Sequence, residues 1–470
     1  MNVGIIGAGP AGLAAAYEMS KREGVNVEVF EASDRVGGMA GTITLWGQRV
    51  DYGPHRFFSS DPRVNAIWHE AAGQRCADVN RLTRIFYGGN FYYYPLRAGN
   101  VLANLGVVES AQCFLSYLGS QLMLPKEDGE PTFESWVSRR FGRRLYETFF
   151  KVYSEKLWGI PCHELDADFA AQRIKKFSVL EAIKAMVLGN RGNKHKTLVD
   201  LFSYPLEGAG AVYESMRQGI LQRGGAVHLR TAAKRVVAEG GRATGIELED
   251  GTVRLFDHVV SSMPITRLIE GFAPVPPEVT QATQQLRFRN TVLVYLLVDG
   301  SDLFPDNWIY VHAKEMGCGR ITNFRNWVPE LYGESRQTVV ALEYWCYDGD
   351  ELWQKDDAHL IALASAELQA IGVAQGAAIV GGHVERLAWS YPVYFKGYKV
   401  PMKVVEAYLK SIANLSVIGR YGAYKYNNQD HSILMGWLAA RSIAWGEPHD
   451  LWRVNTDDEY QEGAAVHDAD

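Results

Sequence analysis

Three stretches of the 470-residue chain predict a mixed α/β fold. In the first, a β-rich pentad at 2–6 runs into Gly7, Gly9 and Gly12. An Ala- and Leu-rich run of helical period follows from Pro10 to Lys21, and a second β-rich run, 25–30, ends at Glu31. That order is strand, turn, helix, strand, with the glycines at G-x-G-x-x-G spacing. In the second stretch, 286–298, 307–312, 320–324 and 339–345 alternate apolar and polar residues and read as one sheet. In the third, 415–440, a short strand meets Gly419-Arg420 and a helix starts near Asp430.

Each part of the first stretch has a mechanical reason. Gly7 permits the tight turn, Gly9 lets a pyrophosphate approach the backbone, and Gly12 lets the helix pack against the strand. Pro10 and Ala11 open the helix, whose unpaired N–H groups and positive dipole end would face the phosphates. Glu31 is placed to accept hydrogen bonds from a ribose. A plain strand–helix turn explains the glycines but not Glu31, so the unit reads as dinucleotide-binding.

The remaining elements follow in order. Residues 42–50 alternate as a short hairpin, and Gly53-Pro54 is a turn with His55 just past it, a hydrogen-bonded loop histidine or a site residue. Residues 84–95 form a hairpin around Gly88-Gly89-Asn90, with an aromatic stripe that suits core or interface packing. Residues 101–124 are helical and 125–131 a loop; Thr132 caps the next helix, with Ser135 and Trp136 in its first turn. Leu145, Phe149, Val152, Tyr153 and Lys156 fall at helical spacing, enough for a core helix, and Trp158 at its end is a candidate substrate wall. The Gly/Asn/Lys-rich loop 188–196 either clamps an anion or is a solvated loop. A helix through Arg217 to Leu221 leads to short strands at 226–229, 233–237, 245–248 and 258–263. Helices at 356–371 and 402–411 flank an aromatic loop at 392–400, and the tail after Trp452 is acidic and frayed.

Composition narrows the class. Hydrophobic residues make up 47% and charged residues 22%, a globular balance able to bury a sizeable core. A net charge of −6 gives no nucleic-acid footprint. No N-terminal signal is expected, since residues 2–4 already belong to the first strand, and no run of apolar residues free of charge is long enough to predict a spanning helix. The five cysteines make no C-x-x-C pair and no zinc spacing, so no metal site is expected and reduced thiols in a cytoplasm are the simple reading. The 55 aromatic residues suit a large planar ligand and an aromatic core equally.

Past Glu31, the run Ala32-Ser33-Asp34-Arg35-Val36-Gly37-Gly38-Met39 resembles the E-x-x-x-R-x-G-G extension of the flavoprotein group that holds amine oxidases, protoporphyrinogen oxidase, phytoene desaturases and UDP-galactopyranose mutase. The resemblance implies tightly held FAD rather than exchanging NAD, with Arg35, Gly37 and Gly38 at the pyrophosphate. Tyr52-Gly53-Pro54-His55 is similar to the mutase Y-G-P-H block, which implies a place for His55 beside the flavin. Gly142 to Gly159 resembles the mutase L-Y-E…W-G segment. In the mutases two arginines four apart follow it, the second near the substrate's diphosphate. This chain keeps Arg173 but carries Phe177 at the second place, with Lys175 and Lys176 as possible substitutes.

Gly419, Arg420, Tyr424 and Tyr426 match the G-R-x-x-x-Y-x-Y block residue by residue, while Asn428-Gln429-Asp430 replaces D-M-D. There the arginine and backbone hold the flavin and the first tyrosine meets the diphosphate. Tyr424 and Tyr426 straddle Lys425, so an extended stretch would point both the same way. The implied FAD set also takes in Ala32, Met39, the peptide of Val236 near the adenine, Asn428, Asp430 and Ser432; the implied substrate set is His55, Trp158, Arg173, Tyr424 and Tyr426.

The implied fold is a glutathione-reductase-type FAD domain assembled from residues 1–60, 200–265 and 412–450. It is interleaved with a mainly helical segment at 61–199, a mixed-sheet substrate domain at 266–411 and a tail at 451–470. The implied activity is that of a mutase, with reduced flavin acting on the anomeric carbon of a nucleotide sugar or related glycosyl phosphate, and NADPH or NADH as external reductant. The rival is an oxidase of the amine-oxidase or protoporphyrinogen-oxidase type with an apolar substrate, which Phe177 and the aromatic excess favour.

Overall fold

The computed structural model describes residues 1–123, 131–168, 201–272 and 274–455. A five-stranded parallel sheet has the order Leu415–Val417, His258–Ser261, Asn2–Ile6, Asn26–Phe30, Ala226–His228. Its central strand is Asn2–Ile6, with Ile5 opposite Val260 on one side and Val29 on the other. Val3, Ile5, Val29 and Val260 are fully or almost fully buried, as strands covered on both faces require. The chain therefore visits this sheet three times, leaving after the second strand and again after His258–Ser261.

The second large sheet has seven strands in the order Ile379–Pro392, Phe288–Val298, Thr338–Cys346, Arg320–Asn323, Trp308–Val311, Thr83–Tyr87, Asn90–Tyr93. Only the pairing of Trp308–Val311 with Thr83–Tyr87 is parallel. The aromatic hairpin expected near 84–95 thus completes this sheet. Alternation along Phe288–Val298 separates two cores rather than core from solvent. Val292, Val294, Leu296 and Val298 pack against Leu360, Ala364 and Leu368 of the Asp357–Ile371 helix. Leu293, Tyr295 and Leu297 pack with Ile43, Val50 and Tyr52 of the Thr42–Asp51 hairpin. Each such side chain contributes roughly 1.5–3 kcal/mol on burial.

Thr132 does cap the Phe133–Phe141 helix, exchanging hydrogen bonds with Ser135. Two elements depart from the sequence reading. The Ala98–Met123 helix is interrupted at Gly106, whose φ of 79° and ψ of 166° are not helical. Over Gly99–Leu122 it is long and apolar enough to cross a membrane by length and composition, where no such run was expected. It carries Glu109 and its side chains are mostly exposed. The second departure is a π-helical turn, Glu147–Lys151, inside the expected core helix. The extra residue per turn changes which side chains that face presents, and Phe149 and Phe150 both reach the central cavity.

Candidate active site

A cavity of about 1010 Å³ lies where the two large sheets meet. Its first wall is the glycine turn and the Pro10–Met19 helix. Gly7 has a φ of +93°, and a Cβ there would lie 2.3 Å from Ser262 Oγ. A Cβ on Gly12 would lie 1.9 Å from the Gly7 carbonyl oxygen, so Gly12 serves the packing of helix on turn and does not line the cavity. Gly9 differs: its Cβ would meet nothing nearer than Gly38 Cα at 3.9 Å. The protein leaves that space open, no side chain caps the helix behind it, and Gly9, Pro10, Ala11, Gly38 and Met39 all border it. Glu31 borders the same cavity; its carboxylate accepts from the Ala8 and Ser33 amides, both at 2.8 Å, which fixes it for a ribose.

The last long helix, Gln429–Trp445, brings a second N-terminus to the cavity through Asn428, Asp430 and Ser432. Just before it, Arg420 is stacked between Tyr391 and Tyr426, 4.5 and 4.4 Å from the ring centres. Its Nε donates to the Ser390 carbonyl at 2.7 Å and its Nη1 to the Asn427 carbonyl at 3.0 Å, while Nη2 is buried without a partner among the described residues. An orphaned guanidinium nitrogen, two helix N-termini, an open glycine cradle and a fixed carboxylate fit FAD: ribose at Glu31, pyrophosphate at Gly9 and Ala11, ring system toward Arg420.

The rest of the cavity is aromatic, walled by Phe149, Phe150, Tyr153, Trp308 and Tyr310, with polar groups set among them. His55 is half-buried and its Nδ1 has no partner among the described residues; burial first, then the Arg320 and Arg420 cations, push its pKa down to about 3. The loop that carries it starts at Asp51, a fully buried carboxyl that takes hydrogen bonds from Thr42 Oγ1, Tyr204 OH and the Ala209 amide. Burial nonetheless raises Asp51 to about 7. Arg320 lines the cavity and pairs with the buried Glu343, Nε to Oε1 at 2.6 Å. Burial alone would lower the Arg320 pKa, and the Glu343 carboxylate more than offsets it. His312 is 6% exposed, stacks on Tyr153 at 5.0 Å, and is held down at about 3 by burial and then by Lys156.

Several sequence-assigned residues stand elsewhere. Tyr424 has a φ of +51°, so the stretch is not extended and the two tyrosines diverge. Tyr426 lines the cavity, whereas Tyr424 is 1% exposed, with its hydroxyl at the carbonyls of Arg287 and Val393 and accepting from the Arg287 amide. It ties the Leu286–Phe288 entry to the flavin-side loop and has no hydrogen left for a diphosphate. Trp158 is fully buried behind Tyr426, 5.6 Å between rings; Tyr153, Ser154 and Leu157 of its helix make the wall instead. Arg35 pairs with Asp34 and donates to Tyr52 OH, and neither it, Gly37 nor Val236 borders the cavity; Ala32, Ala232 and Ala233 do. Arg173, Lys175, Lys176 and Phe177 lie outside the described residues. His312, Arg320, Glu343 and Tyr391 had no motif to mark them, since only the pairing of distant strands brings them to the site.

Fold and site together define a dinucleotide-binding flavoprotein. Residues 10–443 match the family described as flavin containing amine oxidoreductase, and the chain belongs to that family of flavin-dependent enzymes. A crystal structure of reduced UDP-galactopyranose mutase superposes with a TM-score of 0.83 at 20% identity, covering 97% of this chain and 96% of that one. A probable UDP-galactopyranose mutase of Klebsiella pneumoniae is 26% identical over 185 residues, 38% of this chain. The match spans 46% of that relative, under half its length. Coproporphyrinogen III oxidase of Mycobacterium leprae is 22% identical over 385 residues, 78% of this chain and 82% of that protein.

Proposed function

We propose that the chain is an FAD-dependent enzyme of the UDP-galactopyranose mutase type, acting on the anomeric carbon of a nucleotide sugar or related glycosyl phosphate. The observation that carries this reading is the polar lining beyond Arg420. His55, His312, Arg320 with Glu343, and Tyr426 sit among aromatic walls. A sugar suits that mixture: ring C–H faces pack on Tyr153, Tyr310 or Trp308, and hydroxyls meet the imidazoles and the ion pair. A hydrocarbon substrate would leave Nδ1 of both His55 and His312 desolvated without a partner, each costing about 1–3 kcal/mol. Bound FAD would supply the covalent or redox chemistry. The protein's part is to orient the sugar, exclude water, and keep His55 neutral so that it donates or accepts one hydrogen bond. NADPH or NADH would keep the flavin reduced.

One observation favours a second reading. The Arg320 charge is already matched by Glu343, so that pair offers a diphosphate little net attraction. An oxidase acting on a large aromatic substrate would not need it. The two are separated by purified protein in two assays: dithionite-reduced enzyme with UDP-galactopyranose, and oxidised enzyme with coproporphyrinogen III under oxygen. Isomerised sugar nucleotide in the first supports the mutase reading; porphyrin in the second with no sugar product overturns it.

A further inference from the structure

The segment from His312 to Arg320 leaves the cavity wall and returns to it, since both end residues line the cavity. Two charged groups grip it from outside, the half-buried Lys156 and the buried Glu367. Lys156 Nζ donates to the carbonyls of Val311 at 3.2 Å, Ala313 at 2.7 Å and Cys318 at 3.1 Å. All three ammonium hydrogens are thus spent on this one loop, two of them on the carbonyls either side of His312. From the opposite side Glu367 accepts from the Gly317 and Cys318 amides and from Tyr344 OH. Burying an ammonium and a carboxylate is unfavourable unless both are fully bonded, and apolar residues would pack as well. What the clamp delivers is a fixed place for the loop ends.

The His312 ring itself is not explained by packing. A phenylalanine would stack on Tyr153 equally well and would bury no polar atom. The imidazole Nδ1 is buried with no partner among the described residues. A ring nitrogen so placed donates or accepts according to the tautomer. A polar atom left so in a cavity wall is unfavourable until a ligand hydrogen-bonds to it.

We propose that His312 contacts the substrate, its Nδ1 hydrogen-bonding a sugar hydroxyl, and that Lys156 is the positioning residue that holds it there. This rests on the glycosyl reading above. The probes are UDP-galactopyranose and UDP, titrated into reduced holoenzyme and followed by flavin absorbance. His312→Phe should weaken UDP-galactopyranose roughly three- to tenfold and leave UDP unchanged, because UDP lacks the sugar hydroxyls. His312→Asn, which keeps a hydrogen-bonding amide near the Nδ1 position, should recover most of the loss. Lys156→Met should reproduce the phenylalanine effect with FAD content intact. Equal weakening of both ligands, or of neither, by His312→Phe overturns the contact. Unchanged sugar-nucleotide binding by Lys156→Met overturns the positioning role. A wild-type enzyme that binds neither probe overturns the glycosyl reading, and this assignment with it.

Discussion

Two glycines three residues apart fail in different ways when given a side chain. At Gly9 the fold has room, so Gly9→Val should fold with a melting temperature near that of wild-type apoprotein and purify colourless, its branched side chain occupying the pyrophosphate space. At Gly12 a Cβ meets the Gly7 carbonyl at 1.9 Å, so Gly12→Val should lose both FAD and stability. A yellow Gly9→Val protein would disprove the cradle. Asp51 makes a pH prediction. Its folded pKa of about 7 lies above the ordinary aspartate value of 3.8, so the folded state binds the extra proton. That stability is present at low pH and is lost as pH rises from about 4 to 7. Asp51→Asn should be less stable, because its amide cannot accept from all of Thr42, Tyr204 and Ala209. Its deficit against wild type should narrow as pH rises through that window; a constant gap in denaturant titrations would show that Asp51 stays ionised. At this scale the glycine fingerprint, Glu31, His55, Arg420 and Tyr426 were legible in the sequence. Tyr424 was not, because a single left-handed φ reverses which of two neighbouring tyrosines faces the ligand.

At the scale of elements, the two helices whose N-termini share the cavity approach each other closely. A Cβ on Gly436 would lie 2.2 Å from the Ala11 carbonyl oxygen, and one on Gly419 would lie 3.1 Å from Ala11 Cβ. Gly436→Ala should therefore push the Gln429–Trp445 helix away from Pro10–Met19. The expected penalty is about 1–3 kcal/mol of stability, together with weaker FAD binding, read by urea titration and flavin release. Loss of stability without weaker FAD binding would mean that the two helix ends are not jointly needed. Helices and strands near the FAD fingerprint could be read locally, because turn chemistry and burial there agree. Pairing of the Thr83–Tyr93 hairpin with Trp308–Val311 could not, since no local pattern specifies a partner so distant along the chain. The π-helical turn was equally hidden: its apolar spacing passes for an ordinary core helix until the extra residue is seen.

At the scale of the molecule, one ligand would touch both ends of the chain, since the cavity is lined from Ile6 to Asn455. FAD should therefore act as a global stabiliser. Adding it to apoprotein at a hundredfold excess over its dissociation constant should raise the unfolding free energy by about 2.7 kcal/mol, in one cooperative transition. Two separated transitions, only one of them FAD-dependent, would show that the sheets melt independently. The three visits to the parallel sheet also set a timetable for biosynthesis. The glycine turn leaves a ribosome well before Leu415–Val417 and the Gln429–Trp445 helix, which complete its surroundings. At roughly 5–20 residues per second the N-terminal half of the nucleotide cradle waits some tens of seconds for its other half. The nascent chain must keep this βαβ unit soluble for that interval without its completed cradle, and flavin capture waits for the third visit to the sheet.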